Sequence, residues 1–504
     1  MGETHPEVLV IGAGPTGLFM AGELVRHGVR PRIIETALKP HNQTRATEIQ
    51  PAVLEVLHRS GLADEFLESS IPMKGLRVLD RNMEEAFVSL IPPAESRYPN
   101  TRSMPQWRTE EILADRLTAL DVEVERGVTA REITTSENGV QVECVDKEGR
   151  VFVIRTDYLV GAGGAHSPVR GTFHVSLGGI TYPRRYLVAD VTTKGVHREG
   201  NLIAVAISET GMVMTIELPN GRSLVLTDLP PDKEMRDDTP GLDDVRTAIA
   251  EHLNRPFEVS DLRWASMYRM HRRMSPKFSK GRCFLVGDAA HICSPLGGEG
   301  LNAGILDGAS LAWMLAAVLR RGGKGILLDA YEPERQEIAR QILTSCDAMH
   351  GYYDTLITMS AEGKPLSEPP DDPTRKVTSG SMLDLALVQS PIIGFYGSAL
   401  GVRSLRPGCR FPERTQLSGC LHHLLLYGGI QEWDHASFAA RWARALTIVD
   451  GDLICPPEVS GISAGGAVLI RPDGYVGFQA EKWNDEARSA LEGFLNIQFS
   501  PAGI

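Results

Sequence analysis

The sequence predicts an α/β protein with a βαβ unit at its start, an inserted β-sheet, and a small α/β unit at its end. Three observations carry this. A strand, a glycine-rich turn and a helix follow one another between Val8 and Gly28. A β-like pattern occupies about 180 to 228. Beyond a proline-rich stretch at 361–380, short strand and helix patterns resume from about 405.

The opening is the most informative stretch. Val8-Leu9-Val10-Ile11 reads as a buried strand, Leu18 to His27 as a helix closed by Gly28, and Arg32-Ile33-Ile34 as a second strand ending in Glu35. Gly12-Ala13-Gly14-Pro15-Thr16-Gly17 forms the turn, a GxGxxG followed by an acid, Glu35, at the end of the next strand. Gly12 permits the tight turn, Gly14 leaves room for a pyrophosphate, and Gly17 lets helix and strand pack closely. The helix N-terminus offers unpaired N–H groups to phosphate. Glu35 accepts hydrogen bonds from ribose hydroxyls and repels a 2′-phosphate. The unit therefore suits the adenosine of FAD or NAD and not of NADP.

Helices are expected over Pro51–Arg59 and Thr109–Ala119, and a strand over Arg77–Leu79. Strand Asp157–Gly161 runs into the turn Ala162-Gly163-Gly164-Ala165. Met212–Leu218 and Ser223–Thr227 flank Asn220-Gly221, a hairpin signal. Strand Cys283–Val286 enters Gly287-Asp288. The turn Pro295-Leu296-Gly297-Gly298-Glu299-Gly300 then opens a long helix with Leu301, Ile305, Ala309, Ala312, Leu315 and Leu319 on one face. At the C-terminus, strands Leu424–Tyr427 and Leu446–Val449 surround a helix, Ser437–Arg444. Ala467–Arg471 and Tyr475–Phe478 form a hairpin about Asp473-Gly474, and Asp485–Leu495 is a final helix.

The expected boundaries are 1–175 for the dinucleotide-binding part, with a short piece near 74–104 given to the inserted sheet, then 176–275 for that sheet. Residues 276–360 return to the first part, and 361–404 form a linker with connecting helices. Pro365, Pro369, Pro370 and Pro373 mark that linker. The last unit is 405–504.

Composition narrows the partners. Lys+Arg number 52 against 64 Asp+Glu, for a formal charge of -12, which disfavours nucleic acid. Seven cysteines show neither CxxC nor zinc spacing, so no metal site is expected, and reduced thiols in the cytoplasm are. No uninterrupted apolar run is long enough to span a bilayer, and the first residues lack a signal-peptide pattern.

Three separated motifs then combine: Gly12 to Glu35, Gly287-Asp288, and the glycine-rich turn after Pro295. With Gly287-Asp288-Ala289-Ala290-His291 through Pro295, Gly297-Gly298, Gly300 and Asn302, the chain resembles the class A FAD-dependent aromatic hydroxylases, single-component flavoprotein monooxygenases. Arg45-Ala46 with Gln50-Pro51, and Pro105-Gln106-Trp107 with Glu110, resemble further stretches of that family. The resemblance covers roughly 5 to 345. The tail, with Arg471-Pro472-Asp473-Gly474-Tyr475-Val476, resembles the thioredoxin-like C-terminal domain of the phenol and aromatic-polyketide subgroup. Without CxxC it is left a role in packing or homodimerisation.

The resemblance implies a Rossmann-like FAD-binding domain, an inserted β-sheet substrate domain and a thioredoxin-like C-terminal domain. It implies FAD contacts at Gly12, Ala13, Gly14, Pro15, Thr16, Gly17, Glu35, Arg45, Gln106, Val128, Gly287, Asp288, Pro295, Gly298, Gly300, Leu301 and Asn302. The implied reaction uses NADPH or NADH to reduce FAD. O2 then gives a flavin hydroperoxide, and one oxygen passes to a phenolic or polyketide-like aromatic. Baeyer–Villiger oxidation or oxidative rearrangement on the same scaffold, and a flavin-binding partner without turnover, are the alternatives. No catalytic base is assigned. Met212, Met214, Trp264 and Met267 are candidates for the substrate cavity, with ordinary core as the competing reading. His291 reads as a structural hydrogen-bonder, and His422-His423 as packing. Cys293 lies close to the flavin turn, with packing its default role.

Two departures stand out. Gly163 occupies the place of an Asp tied to flavin and nicotinamide handling. Glu299 stands where Gln is common, and an acid there opposes an anionic reduced flavin unless it is neutral or turned away.

Overall fold

A computed structural model describes residues 5–500 apart from 95, 197–200, 231–238, 370–380, 388–389, 397–406, 412–416, 418, 428–434, 452–461 and 463–464. Pro370, Pro373 and Cys455 thus lie outside the described residues.

The N-terminal strand Val8–Ile11 is buried along its whole length, as a central parallel strand covered on both faces must be. It pairs in parallel with Pro31–Glu35 on one side and Tyr158–Gly161 on the other. The full sheet has six strands, in the order Ser279–Lys280, Cys283–Leu285, Tyr158–Gly161, Val8–Ile11, Pro31–Glu35, Val124–Arg126. The first helix, Pro15–Arg26, carries Pro15 at its first turn, where a missing N–H costs nothing. It packs on the core helix Gly300–Arg320. That helix is long and apolar enough to cross a bilayer, but its most apolar window is 89% buried within the protein, so burial in a core accounts for its composition.

The inserted sheet has eight strands: His291–Ile292, Glu258–Met274, Gly178–Lys194, Arg222–Leu229, Met212–Leu218, Leu202–Ile207, Gly75–Leu79 and Glu85–Leu90. Period-two alternation gives it two apolar faces. Met214, Ile216, Leu224, Leu226 and Trp264 pack toward Met349, Tyr352 and Tyr353 of the long helix Tyr331–Ala361. Val213, Val225, Ala265 and Met267 pack the other way, against Val245 and Ile249 of helix Leu242–Ala250. Asn220 and Gly221 turn the expected hairpin with φ of +63° and +72°.

The C-terminal sheet has five strands, in the order Gly394–Tyr396, Val476–Ala480, Ala467–Ile470, His422–Leu426, Leu446–Asp450. Its first strand comes from the stretch expected to be a linker and pairs in parallel with Val476–Ala480. The sheet is also not packed apart from the rest. Leu424, Leu426, Leu469 and Phe478 join the same core as Leu18, Trp313 and Leu315, while Leu425, Tyr427, Val468 and Ile470 form a small core on the opposite face. Sequence reading missed the 31-residue helix Tyr331–Ala361 and the three-stranded sheet of Thr129–Ser136, Gly139–Val145 and Val151–Thr156.

Candidate active site

Four pieces of backbone meet at the ends of the parallel strands. At the first turn, Gly12 has φ of +112°, and a Cβ there would overlap the carbonyl of Ala162. A Cβ on Gly17 would overlap the Gly12 carbonyl, whereas one on Gly14 would meet nothing within 4 Å. Two glycines therefore serve the fold, and the third leaves an opening above the helix N-terminus. Glu35 flanks it. Its Oε2 accepts from Ala13 N–H and its Oε1 from Ala37 N–H, both at 2.8 Å, which aims the carboxylate along the cavity wall. Val128 stays in the core and donates its N–H to the Glu35 carbonyl at 3.0 Å.

The second piece is Gly287-Asp288. Gly287 N–H donates to Asp307 Oδ2 at 2.9 Å, and His291 Nε2 meets the same oxygen at 2.8 Å. Arg335 Nε donates to Asp307 Oδ1 at 2.7 Å. Burial alone would raise the Asp307 pKa, but Arg335 and His291 outweigh it and hold the carboxylate low. This buried triad fixes the turn so that Asp288 faces open space. Depth pushes the Asp288 carboxyl up, with His291 and Arg45 opposing.

The third piece is the turn Pro295 to Gly300. Asn302 is fully buried and does not face the cavity. Its Nδ2 donates to the carbonyls of Glu48 and Gly298 at 2.8 and 2.6 Å, and its Oδ1 accepts from Gln50 N–H at 2.9 Å. Gly298 has φ of +66°, and a Cβ there would overlap the Glu48 side chain, so this turn favours glycine. Burial pushes Glu48 up to about 7. Glu299 is turned away from the cavity: it accepts from Ser345 Oγ at 2.8 Å and from Cys346 Sγ at 3.4 Å. Burial also pushes Glu299 to about 7. Turned away in this manner, the acid is tolerable at this position, and its raised pKa weakens its charge further.

The fourth piece is Gly163 in the turn after Tyr158–Gly161. It has φ of -79°, and a Cβ would find its nearest neighbour at 3.6 Å.

These pieces line one cavity of about 1980 Å³. Gly12, Gly14, Pro15, Thr16, Glu35, Arg45, Gln106, Gly163, Asp288, Pro295, Gly298, Gly300 and Leu301 face it. Ala13, Gly17, Val128, Gly287 and Asn302 stand behind it as support. The cavity continues over the inserted sheet, past Met214, Ile216, Leu224, Trp264 and Tyr268, and reaches Cys409 and Phe411 near the C-terminal sheet. Met214 and Trp264 line it, while Met212 sits beneath in the same core cluster. Met267 corrects the sequence expectation. It lies three residues from Trp264, so strand alternation sends it to the far face. His291 is 2% exposed, and His422 packs edge-on to Trp313 at 5.3 Å between ring centroids.

A single ligand pocket typically holds ~300–1,000 Å³, so this volume takes a dinucleotide together with a second molecule. The open Gly14, the carboxylate of Glu35 and the cavity-facing Asp288 fit FAD. Asp307, Arg335 and Glu48 were missed from sequence, whereas Gln50 was read only as part of a family stretch. The usable signal was Asp307, the one charged residue from Gly300 to Val318.

Comparisons agree with this geometry. Residues 5–345 match the FAD binding domain family, and 405–502 match the aromatic-ring hydroxylase C-terminal family. The chain is 30% identical to the 6-methylpretetramide 4-monooxygenase of Streptomyces rimosus, over 95% of this chain and 91% of that protein. The crystal structure of flavin-dependent monooxygenase PieE, in complex with FAD and substrate, superposes with a TM-score of 0.83 over 99% of both chains, at 21% identity, which speaks to fold alone. The anhydrotetracycline hydroxylase OxyS from Streptomyces rimosus superposes at 0.78, with 26% identity over 99% of this chain and 100% of that one. With a dinucleotide turn, an Asp288 turn and a sheet-roofed cavity in one continuous space, and with most of its length matched, the chain belongs to the FAD-binding monooxygenase family of aromatic-ring hydroxylases.

Proposed function

We propose that this enzyme hydroxylates a phenolic or polyketide-like aromatic, with O2 and NADPH or NADH as cosubstrates. The carrying observation is the continuity of the cavity from the Gly12–Gly17 turn to the apolar face of the inserted sheet. The helix N-terminus at Pro15 takes the pyrophosphate and Glu35 the adenosine ribose. Arg45, Gln106 and Asp288 flank the ribityl chain. The turn Pro295–Gly300 directs the first N–H groups of the core helix at the flavin pyrimidine. Bound FAD supplies the electron transfer and the activation of O2. Met214, Ile216, Leu224, Leu226 and Trp264 orient an apolar ring system and exclude water. Relatives that act on pretetramide and anhydrotetracycline support a polycyclic substrate of this size.

The proposal puts the reaction in the cytoplasm, in keeping with reduced thiols, assigns the cavity-facing residues to the FAD site, and keeps the expected domain boundaries except that strand Gly394–Tyr396 goes with the C-terminal sheet. Light scattering of the FAD-loaded protein tests homodimerisation. The function is tested by incubating FAD-loaded enzyme with NADPH or NADH, 18O2 and a panel of phenols and anthraquinones. Mass spectrometry should find one labelled oxygen on a ring carbon. Oxygen inserted beside a carbonyl would replace this reading with Baeyer–Villiger oxidation, and product without label would overturn it.

A further inference from the structure

Two thiols lie at the edge of the candidate active site, and the hydroxylation reading uses neither. Cys293 sits on the cavity wall, half-buried, between strand His291–Ile292 and the turn Pro295–Gly300. Its Sγ would stand 3.2 Å from a Cβ on Gly300. Cys346, on the long helix, is fully buried behind it. Cys346 Sγ lies 3.6 Å from the carbonyl of Ser294, the residue next to Cys293, and 3.4 Å from Glu299 Oε2. The neighbouring Cys293 sulfur, burial and the Glu299 carboxylate together hold the Cys346 thiol well above its usual range. The two sulfurs and one carboxyl therefore form a single cluster, bridging the turn and the long helix.

We infer that Cys293 and Cys346 form a peroxide-sensing dithiol, oxidised reversibly to a disulfide that ties the Pro295–Gly300 turn to helix Tyr331–Ala361. The order of events follows from access. Cys293 faces the cavity, so hydrogen peroxide reaches its sulfur first. One peroxide oxygen is transferred to give the Cys293 sulfenic acid, and water leaves. Cys346 Sγ then attacks Cys293 Sγ. The S–S bond forms, the S–O bond breaks, and hydroxide departs. The Cys346 proton passes through Glu299 Oε2 to that hydroxide, giving a second water. Two thiols lose two electrons, and one peroxide becomes two waters. Glu299 is suited to the transfer because its carboxyl titrates near neutrality. A thiol held this far above its usual range is a poor nucleophile until a base takes its proton. The proposal does not depend on the hydroxylation reading.

The test uses full-length protein, titrated with hydrogen peroxide, alkylated and digested without reductant. Peptide mass spectrometry should find the Cys293–Cys346 disulfide at one peroxide per chain, reversed by dithiothreitol. Cys144 and Cys283, buried in cores, should remain alkylatable after unfolding. In Cys346→Ser, Cys293 should give a trappable sulfenic acid at one peroxide per chain, with no disulfide, and go on to sulfinic acid only with excess peroxide. Glu299→Gln should slow disulfide closure at least tenfold while leaving the first oxidation of Cys293 unchanged. Recovery of both cysteines as thiols, or of Cys293 as sulfinic acid in the wild-type protein, overturns the proposal. If closure is equally fast in Glu299→Gln, the assigned proton path falls.

Discussion

The cavity wall and the seam beneath the C-terminal sheet both hold buried charge, and they treat it in opposite ways. In the seam, the Arg471 Nη atoms donate to both Glu334 oxygens at 2.7 and 2.8 Å. Arg471 also donates to Asp473 at 2.6 and 3.1 Å, and Trp313 and Ser310 donate to Asp473 Oδ2 at 2.9 and 3.1 Å. Burial would push Asp473 up, but Arg471 and these donors carry it down to about 2. On the cavity wall, Arg45 and Asp288 make no ion pair among the described residues, and burial carries Glu48 up to about 7. Charges matched within the protein report how the chain folds. Polar groups aimed into open space report what it binds.

Breaking the seam should have the largest effect. Arg471→Met leaves Glu334 and Asp473 buried without their partner, which costs about 3–5 kcal/mol of stability. Urea unfolding measures it, and a loss below about 1 kcal/mol would mean that the seam is not structural. The shared core sharpens the point. A chain cut within 361–380 exposes the faces that Leu424, Leu469 and Phe478 cover, and should yield no soluble yellow protein.

On the cavity side, Glu35→Ala should weaken FAD binding by about 1–3 kcal/mol, through hydrogen bonds lost at a charged acceptor. Fluorescence titration of the apoprotein reads this directly. Unchanged affinity would show that the adenosine lies elsewhere.

Gly163→Asp tests the same wall from the nicotinamide side. The backbone there is already in a region open to any residue, so the substitution should fold and hold FAD. Stopped-flow reduction by NADPH and NADH should accelerate by roughly two- to tenfold, up to ~1.4 kcal/mol of barrier. An unchanged or slower rate would mean that this chain docks the nicotinamide by other groups.

The effect that is smallest in acid concerns Glu299, because it appears only as pH rises. Its folded pKa is raised from an ordinary 4.5 to about 7. The folded state therefore holds a proton that the unfolded state has released between those values, and the associated stability is lost as pH rises through 7. Glu299→Gln should escape that loss, gaining up to about 3 kcal/mol over wild type at pH 8 and less than about 1 kcal/mol at pH 5. Thermal unfolding at the two pH values decides it. An equal difference at both would show that Glu299 does not titrate in this window.

The dinucleotide turn was legible because its demands are local. A tight turn, an open backbone and an acid at the next strand end are all set between Gly12 and Glu35, so each residue type announces its role. Strand parity was legible too, yet it was not applied to Trp264 and Met267, whose odd separation already excluded a shared face. The motif Arg471-Pro472-Asp473-Gly474 was visible without its meaning, because its partners Glu334 and Trp313 sit on helices far back along the chain.

By itself the sequence determined the parallel βαβ unit, the hairpin at Asn220-Gly221, the Gly287-Asp288 turn and the final helix. Each of these rests on backbone sterics and short-range periodicity, which operate between near neighbours. Tertiary structure alone decided that the C-terminal sheet shares the main core and that Glu299 turns from the cavity toward Ser345 and Cys346. It also decided which of four candidate side chains line the cavity. Those outcomes depend on which surfaces are removed from water together, and desolvation is a property of the assembled fold, with no counterpart in any short stretch of chain.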